Sequence, residues 1–233
     1  MIFFLILGCV DKSPEFVTMS GSVFSDKDSE ITISGATMDV YDIAMEEIDS
    51  VVTDESGSFD AQVRFGSFVF LDLQADGHVR TGFSGAIGTQ DYLVPDGTLW
   101  MRSDEEQAVV DAAFAGCEDM DLDGWVEGEI LMALPQDEGV VKSFVETGWA
   151  KVLLEDGVGR EACYLDAEGL FDPEAVLTGP TGRFLLPNVS GMTRIRVGYD
   201  LGDVEIYSGD LTVFVPEGGA VILDDSLWMP LPS

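Results

Sequence analysis

The chain has 233 residues, of which 44 are acidic and 11 basic, so its formal charge at pH 7 is −33. A surface this acidic repels phosphate backbones and anionic lipid surfaces, which argues against a nucleic-acid partner. The single histidine, His78, excludes a metal site built mainly from imidazole ligands. Because 46% of the residues are apolar, the chain can still build the core of one large domain or two smaller ones.

The first eight residues are apolar and are followed by Cys9. A run of this length is too short to span a bilayer, which takes about 20 apolar residues, and it is typical of the hydrophobic part of a secretory signal. Residues 6–9, with the sequence ILGC, resemble the lipobox of bacterial lipoproteins, in which the cysteine carries a diacylglycerol. The resemblance implies a signal over residues 1–8, a lipid anchor on Cys9 and a tether over residues 9–17.

Two features depart from the lipoprotein pattern, since no Lys or Arg precedes the apolar run and the run is short. The alternative is a buried N-terminal strand with a free cysteine. Val10 stands where an aspartate would favour retention in the inner membrane, so the resemblance implies anchoring in the outer membrane of the cell envelope. The membrane is then a partner through the lipid, and the sequence identifies no protein or glycan partner.

The two other cysteines, Cys117 and Cys163, agree with export. An even pair in an oxidising compartment favours a disulfide, which would close a loop of 46 residues. The alternative is two separate buried thiols.

An internal repeat relates residues 19–101 to residues 126–229. Five landmarks occur in the same order in both halves, and loops of different length absorb their changing offsets. The landmark pairs are residues 21–23 and 128–130, 35–40 and 148–153, 53–59 and 178–184, 94–97 and 215–218, and 99–101 and 227–229.

Short alternating apolar segments predict β-strands in both halves. Phe68 and Phe70 in the first half, and Ile195 and Val197 in the second, place apolar side chains two residues apart, as one buried sheet face requires. Turn sequences rich in Gly, Asp and Pro separate these segments every ten residues or so. The pattern predicts antiparallel β-sandwiches.

The turn over residues 53–59, with the sequence TDESGSF, is similar to the TD-x-x-G-x-F hairpin of carboxypeptidase regulatory-like domains. Residues 75–78, with the sequence ADGH, look like the A-x-G-[YH] segment of the same family. The resemblance covers most of the first half and is weaker in the second, where Gly179 replaces the turn aspartate. It implies transthyretin-like sandwiches and an accessory or surface module without catalytic residues.

Between the repeats the sequence predicts a helix over residues 104–115. Ser103 and Glu106 have capping-box spacing. Val109, Val110, Ala113 and Phe114 form an apolar stripe, and Gly116 ends the helix. The predicted domains are therefore a first sandwich over residues 18–102, a helix and acidic linker over 103–124, and a second sandwich over 125–233. The alternative for the middle segment is a disordered acidic linker.

An acidic motif follows the helix. Asp119, Asp121 and Asp123 alternate before Gly124, and Glu127 stands at the ninth position, as at the start of an EF-hand calcium loop. The twelfth position, which should be a bidentate Glu, is Ile130. The sequence therefore offers these four carboxylates as calcium ligands, and otherwise predicts no cofactor. The alternative is an acidic turn in an acidic protein.

Support for catalysis is poorer. A Ser-His-Asp or Cys-His arrangement would have to use His78, for which a structural or surface role is expected. Four tryptophans are able to stack on sugars: Trp100, Trp125, Trp149 and Trp228. Trp100 and Trp228 occupy equivalent repeat positions, which favours core packing.

The sequence therefore predicts an all-β protein of two tandem transthyretin-like antiparallel β-sandwiches with a short bridging helix. It favours a non-enzymatic, lipid-anchored envelope protein that acts as a structural or binding module. The alternative is a calcium-dependent or carbohydrate-binding accessory module, and an enzyme comes third.

Overall fold

The structure is a computed structural model that describes residues 16–117, 124–136, 140–146, 150–154, 162–200 and 205–230. These residues form sixteen strands and one short helix, which confirms the predicted all-β class. Among them, no helix is long and apolar enough to cross a membrane.

The first half consists of eight strands followed by the helix. They are β1 (Phe16–Ser25), β2 (Thr37–Asp42), β3 (Glu47–Val52), β4 (Ser58–Arg64), β5 (Phe68–Gln74), β6 (Thr81–Ala86), β7 (Tyr92–Leu93), β8 (Leu99–Met101) and α1 (Asp104–Ala113). One sheet has the order β4-β1-β7, with β8 also paired to β1, and it faces the strands β6-β5-β2-β3. Side chains alternate along β4, so that Phe59, Ala61 and Val63 are buried in the core between the sheets.

The second half repeats this plan with eight more strands. They are β9 (Trp125–Gln136), β10 (Val140–Glu146), β11 (Ala150–Leu154), β12 (Cys163–Tyr164), β13 (Arg183–Pro187), β14 (Gly191–Asp200), β15 (Glu205–Val215) and β16 (Ala220–Pro230). The strands β12-β13-β9-β16, with β10 on β9, continue through β6 into the strands β6-β5-β2-β3 as one nine-stranded sheet, and β11-β14-β15 form the sheet that faces them. A second core lies between them and includes Val126, Ile130, Phe184, Ile195 and Val213.

The two halves join at a sheet edge, where Ala220 of β16 pairs with Thr81 of β6. This pair is parallel, as are β1 with β7, β1 with β8, and β9 with β16, so the antiparallel expectation does not extend to every pair. For β1 with β8 and for β9 with β16 the reason is topological, because the last strand of each half returns beside its first strand in the same direction.

The strand ladders place the repeated landmarks in equivalent pairs. Val23 of β1 pairs with Leu99 of β8, and the matching residue Ile130 of β9 pairs with Leu227 of β16. The internal repeat inferred from the sequence is therefore a repeat of strand register as well.

A glycine opposite a phenylalanine recurs in both halves. Gly21 pairs with Phe59, and Gly128 pairs with Phe184. A Cβ atom at Gly21 would lie 3.2 Å from the ring of Phe59, and one at Gly128 would lie 3.0 Å from the ring of Phe184. In each half the ring thus packs over a neighbouring strand that carries no side chain at that point.

A buried threonine fastens the repeated turn in both halves. The Oγ1 atom of Thr53 accepts a hydrogen bond from the backbone N–H of Ala36 at 2.9 Å, and Thr178 accepts one from Ala150 at the same distance. Ala150 is thus the equivalent of Ala36. The sequence alignment, which matched Ala36 with Trp149, was wrong by one position because it followed the preceding glycine rather than the buried strand face.

Helix α1 bridges the halves, as predicted, but ends at Ala113 rather than at residue 115. The Ser103 hydroxyl accepts a hydrogen bond from the backbone N–H of Glu106 at 3.2 Å, which is the expected N-cap. Val110 and Phe114 pack in a small cluster against Leu165 and Leu185 of the second half. Val109, predicted to lie in the apolar stripe, is 64% exposed, so the stripe is narrower than expected.

Candidate functional site at the sandwich junction

A buried ion pair connects the two sandwiches. Arg102 follows β8 of the first sandwich, and Glu127 lies on β9 of the second. Arg102 Nη1 donates to Glu127 Oε2 at 2.6 Å, and Nη2 donates to Oε1. Nη1 also donates to the side-chain oxygen of Gln107 on α1 at 3.0 Å. Arg102, Gln107 and Glu127 are 7%, 8% and 4% exposed, so three segments meet in one desolvated polar cluster.

A second ion pair lies beside the joined sheet edge. Arg80 Nε donates to Asp72 Oδ1 at 2.9 Å, and Arg80 Nη2 donates to Oδ2 at 2.5 Å. The hydrogen bond with Asp72 is the main reason that the pKa of Arg80 is raised. Arg80 also donates to the backbone carbonyl of Glu217 at 3.2 Å, and its own carbonyl accepts from the N–H of Ala220 at 2.7 Å. Arg80 therefore holds the turn before β16 against the first sandwich.

Aromatic side chains cover the junction next to that pair. The ring of Phe214 lies 5.8 Å from that of Tyr41 and 6.3 Å from that of Phe70. Phe70 projects from the first sandwich and is 1% exposed. Burial, and then the carboxylates of Asp39 and Asp72, raise the pKa of the Tyr41 hydroxyl. Part of the first sandwich's outer surface is thus a contact surface for the second.

A cleft of about 460 Å³ lies at the junction and has a mixed charge. Its lining includes three of the chain's eleven basic residues, together with four acidic residues. The basic residues are Lys27, Arg102 and Arg183, and the acidic residues are Asp26, Glu106, Glu127 and Glu129. Arg183 and Glu129 stand opposite each other in the ladder between β9 and β13, where opposite charges attract. The chain therefore concentrates scarce positive charge where its two acidic halves meet.

The tryptophans considered for sugar stacking lie in different environments. Trp100 lines the cleft but is 8% exposed, so it offers a sugar little of its face. Trp125 is half-buried against the cluster at α1. Trp228 pairs through its backbone with Leu131, and Trp149 lies outside the described residues.

The structure describes one of the four proposed calcium ligands, Glu127. Asp119, Asp121 and Asp123 lie outside the described residues, while Glu127 is buried on β9 with both carboxylate oxygens bound to Arg102. No group of three or more potential metal ligands occurs among the described residues. The structure therefore gives Glu127 a different role from the one the sequence suggested, and the calcium loop stays a prediction.

His78 ties β1 to the turn between β5 and β6. Its Nδ1 atom lies 3.0 Å from the backbone oxygen of Asp76, and its Nε2 atom lies 3.0 Å from Ser25 Oγ. Because a carbonyl only accepts, Nδ1 carries a proton in this arrangement. Both ring nitrogens thus have partners from neighbouring segments, as a structural histidine requires.

The structure joins Cys117 and Cys163 in a disulfide with a Cα–Cα distance of 6.0 Å. Cys117 follows α1 and Cys163 lies on β12, so the bond attaches the end of the helix to the edge of the second sandwich. Phe171 N–H also donates to the Ala113 carbonyl at 2.8 Å. Cys9 lies outside the described residues, and its anchor stays a prediction.

No protein-family model matches the chain, and no curated protein matches it significantly. Solved structures similar to it include the Bacillus anthracis TIE protein, with 12% identity over 92% of this chain and 34% of that chain and a TM-score of 0.31. BcpA, the major pilin subunit of Bacillus cereus, has 10% identity over 87% and 69% of the two chains and a TM-score of 0.30. GBS52, the minor pilin of Streptococcus agalactiae, has 9% identity over 93% and 97%, and a TM-score of 0.29.

This chain thus spans about a third of the length of the TIE protein. TM-scores of this size support no inference about function. The resemblances to carboxypeptidase regulatory-like domains and to lipoprotein signals also stay predictions, since no family model matches.

Proposed function

We propose that this protein is a non-enzymatic structural module of the cell envelope, attached to a membrane by a lipid on Cys9. The observation that supports this best is the junction, where Arg102, Gln107 and Glu127 form a buried polar cluster between the two sandwiches. Tandem domains usually move relative to each other unless their interface is large and well packed. A fixed junction suits a spacer that must hold its shape between a membrane and whatever lies beyond it.

Three further connections also hold the two sandwiches together. The sheet edge is continuous through Thr81 and Ala220, the ring of Phe214 packs against the first sandwich, and α1 packs on the second. Each connection uses different residues, so the relative position of the sandwiches is fixed at several points. The module then behaves as one body of two similar halves.

A fixed junction predicts one unfolding transition. If the sandwiches unfold together, calorimetry of the full chain gives a single peak whose calorimetric and van't Hoff enthalpies agree. Independent sandwiches would instead give two peaks, or a calorimetric enthalpy well above the van't Hoff value. Either of those results would remove the structural argument for a spacer.

The anchor predicts lipidation at Cys9. Expression in a host that processes lipoproteins should give membrane-associated protein that incorporates labelled fatty acid, because the mature N-terminal cysteine would carry the lipid. The Cys9→Ser variant should be unlabelled and soluble. A label that survives this substitution, or an unlabelled soluble wild type with Met1 intact, would contradict the anchor.

A further inference from the structure

One end of the first sandwich exposes four large apolar side chains. They are Phe16, Ile43, Phe65 and Phe68, with exposed fractions of 46%, 73%, 45% and 37%. Phe16 begins β1 opposite Arg64, the last residue of β4, and Phe65 follows directly. We call this apolar surface the entry end.

The strand register brings the other two side chains to the same place. Asp42, the last residue of β2, pairs with Val69 of β5, so the turn with Ile43 and the start of β5 with Phe68 lie side by side. Arg64 Nη1 joins the two corners by binding Asp42 Oδ2 at 2.9 Å. The four side chains therefore belong to one end of one sandwich.

The entry end is also where the chain arrives from Cys9. Seven residue steps separate Cys9 from Phe16, so a fully extended chain covers at most about 25 Å. The junction cleft lies at the opposite end of β1, and ten strand residues put it about 33 Å away. A lipid on Cys9 would keep the entry end close to the bilayer and the cleft away from it.

Charge at the entry end is partly neutralised, because one of the chain's 11 basic residues, Arg64, lies there beside two carboxylates. Arg64 pairs with Asp42, and its Nη2 lies 3.8 Å from Glu46 Oε2. Asp42 also accepts hydrogen bonds from the backbone N–H groups of Ala44 and Glu46. Arg64, Asp42 and Glu46 together carry one net negative charge, so the repulsion from an uncharged lipid surface is small beside that expected from an anionic one.

We infer that the entry end rests on the bilayer that holds the lipid of Cys9, with Phe16, Ile43, Phe65 and Phe68 at the boundary between head groups and acyl chains. This inference rests on the proposed anchor. Aromatic and apolar side chains partition into that boundary. Tethering raises their effective concentration at the membrane, so weak docking is sufficient. The docked end fixes the direction in which the rest of the module points.

Tryptophans placed at the entry end test the contact. The full-length lipidated protein carrying Ile43→Trp or Phe65→Trp is reconstituted in phosphatidylcholine vesicles with or without brominated acyl chains, and wild-type emission is subtracted. Bromine quenches tryptophan only at short range, so both added tryptophans should lose emission in brominated vesicles. The matched control is Val109→Trp, which is exposed beside the cleft and should keep its emission.

The outcomes separate the docking from the anchor. Protein that carries the fatty-acid label and floats with vesicles, but shows no quenching at positions 43 and 65, would overturn docking and leave the anchor standing. Equal quenching at position 109 would overturn docking through a defined end. Protein without the label that does not float would overturn the anchor and the docking with it. Adding anionic lipid to the vesicles should weaken the quenching, because a negatively charged bilayer surface repels a protein with a net charge of −33.

Discussion

Replacing Arg102 by alanine is expected to lower the free energy of unfolding by about 3–5 kcal/mol, because it leaves the carboxylate of Glu127 buried without its charged partner. Glu127 is 4% exposed, and both of its oxygens are bound to Arg102. The side-chain oxygen of Gln107 also loses the hydrogen bond that it accepts from Arg102. Urea unfolding monitored by circular dichroism measures the change.

The location of the ion pair determines how the Arg102→Ala variant should unfold. Since Arg102 and Glu127 belong to different sandwiches, the loss should also reduce the cooperativity between them. Calorimetry of Arg102→Ala should then show a broadened or divided transition where the wild type shows a single one.

Two further variants distinguish a buried pair from a general effect of removing charge. The double variant Arg102→Met with Glu127→Leu removes both charges at similar volume and should recover most of the stability. Arg64→Ala removes a more exposed arginine from Asp42, a buried carboxylate that keeps hydrogen bonds from the backbone N–H groups of Ala44 and Glu46, so a smaller loss than that of Arg102→Ala is expected. If Arg102→Ala costs no more than Arg64→Ala, the junction pair does not stabilise the protein.

The repeat was visible in the sequence because backbone geometry restricts the residues that its turns tolerate. Gly57 and Gly182 have φ values of 77° and 68°, a region that favours glycine, so both copies kept one there. Thr53 and Thr178 are retained beside them because each fastens a turn through the same hydrogen bond. Features fixed by local geometry of this kind are the ones that a single sequence reveals.

The junction was not predicted, because its partners are distant in sequence and resemble something else locally. Glu127 follows three alternating aspartates, and that spacing suggested a calcium loop. Its partner Arg102 lies 25 residues earlier, in the other sandwich. One signal was available, since Arg102 directly follows a repeated landmark in a chain with only 11 basic residues. Because basic residues are few, an arginine at the boundary of two acidic halves is a reasonable ion-pair partner for Glu127.

The exposed apolar side chains of the entry end were also not predicted from the sequence. Phe65 directly follows β4, and Phe68 is the first residue of β5. The alternation predicted Phe68 and Phe70 on one buried sheet face, which is wrong for Phe68 because it is 37% exposed while Phe70 is 1% exposed. The exposure of Phe65 and Phe68 depends on the strands ending just there, which hydrophobic periodicity does not specify. In the same way Val109 fits the apolar stripe of α1, yet the helix is rotated so that Val110 and Phe114 face the second sandwich.

Removing the disulfide is expected to lower the free energy of unfolding by about 4 kcal/mol, since the bond between Cys117 and Cys163 closes a loop of 46 residues and restricts the unfolded chain. The double variant Cys117→Ser with Cys163→Ser removes it without leaving a single reactive thiol. Cys9→Ser is the matched control, because it removes a cysteine outside the bond and should leave the unfolding free energy unchanged. Urea unfolding of the three proteins measures the difference.

The same bond has a second, chemical signature. Cys117 belongs to a cluster with Val110, Phe114 and Leu165, and half-buried Trp125 packs against that cluster. Mass analysis of exported protein without reductant should give a mass two hydrogen atoms below that of the dithiol form. Reduction should also change the emission of Trp125, because the cluster beside it loosens. Native, unreduced protein in which both thiols react with an alkylating agent would show that the two cysteines are not bonded, and the end of the helix would then be held by packing and by the hydrogen bond from Phe171 to Ala113.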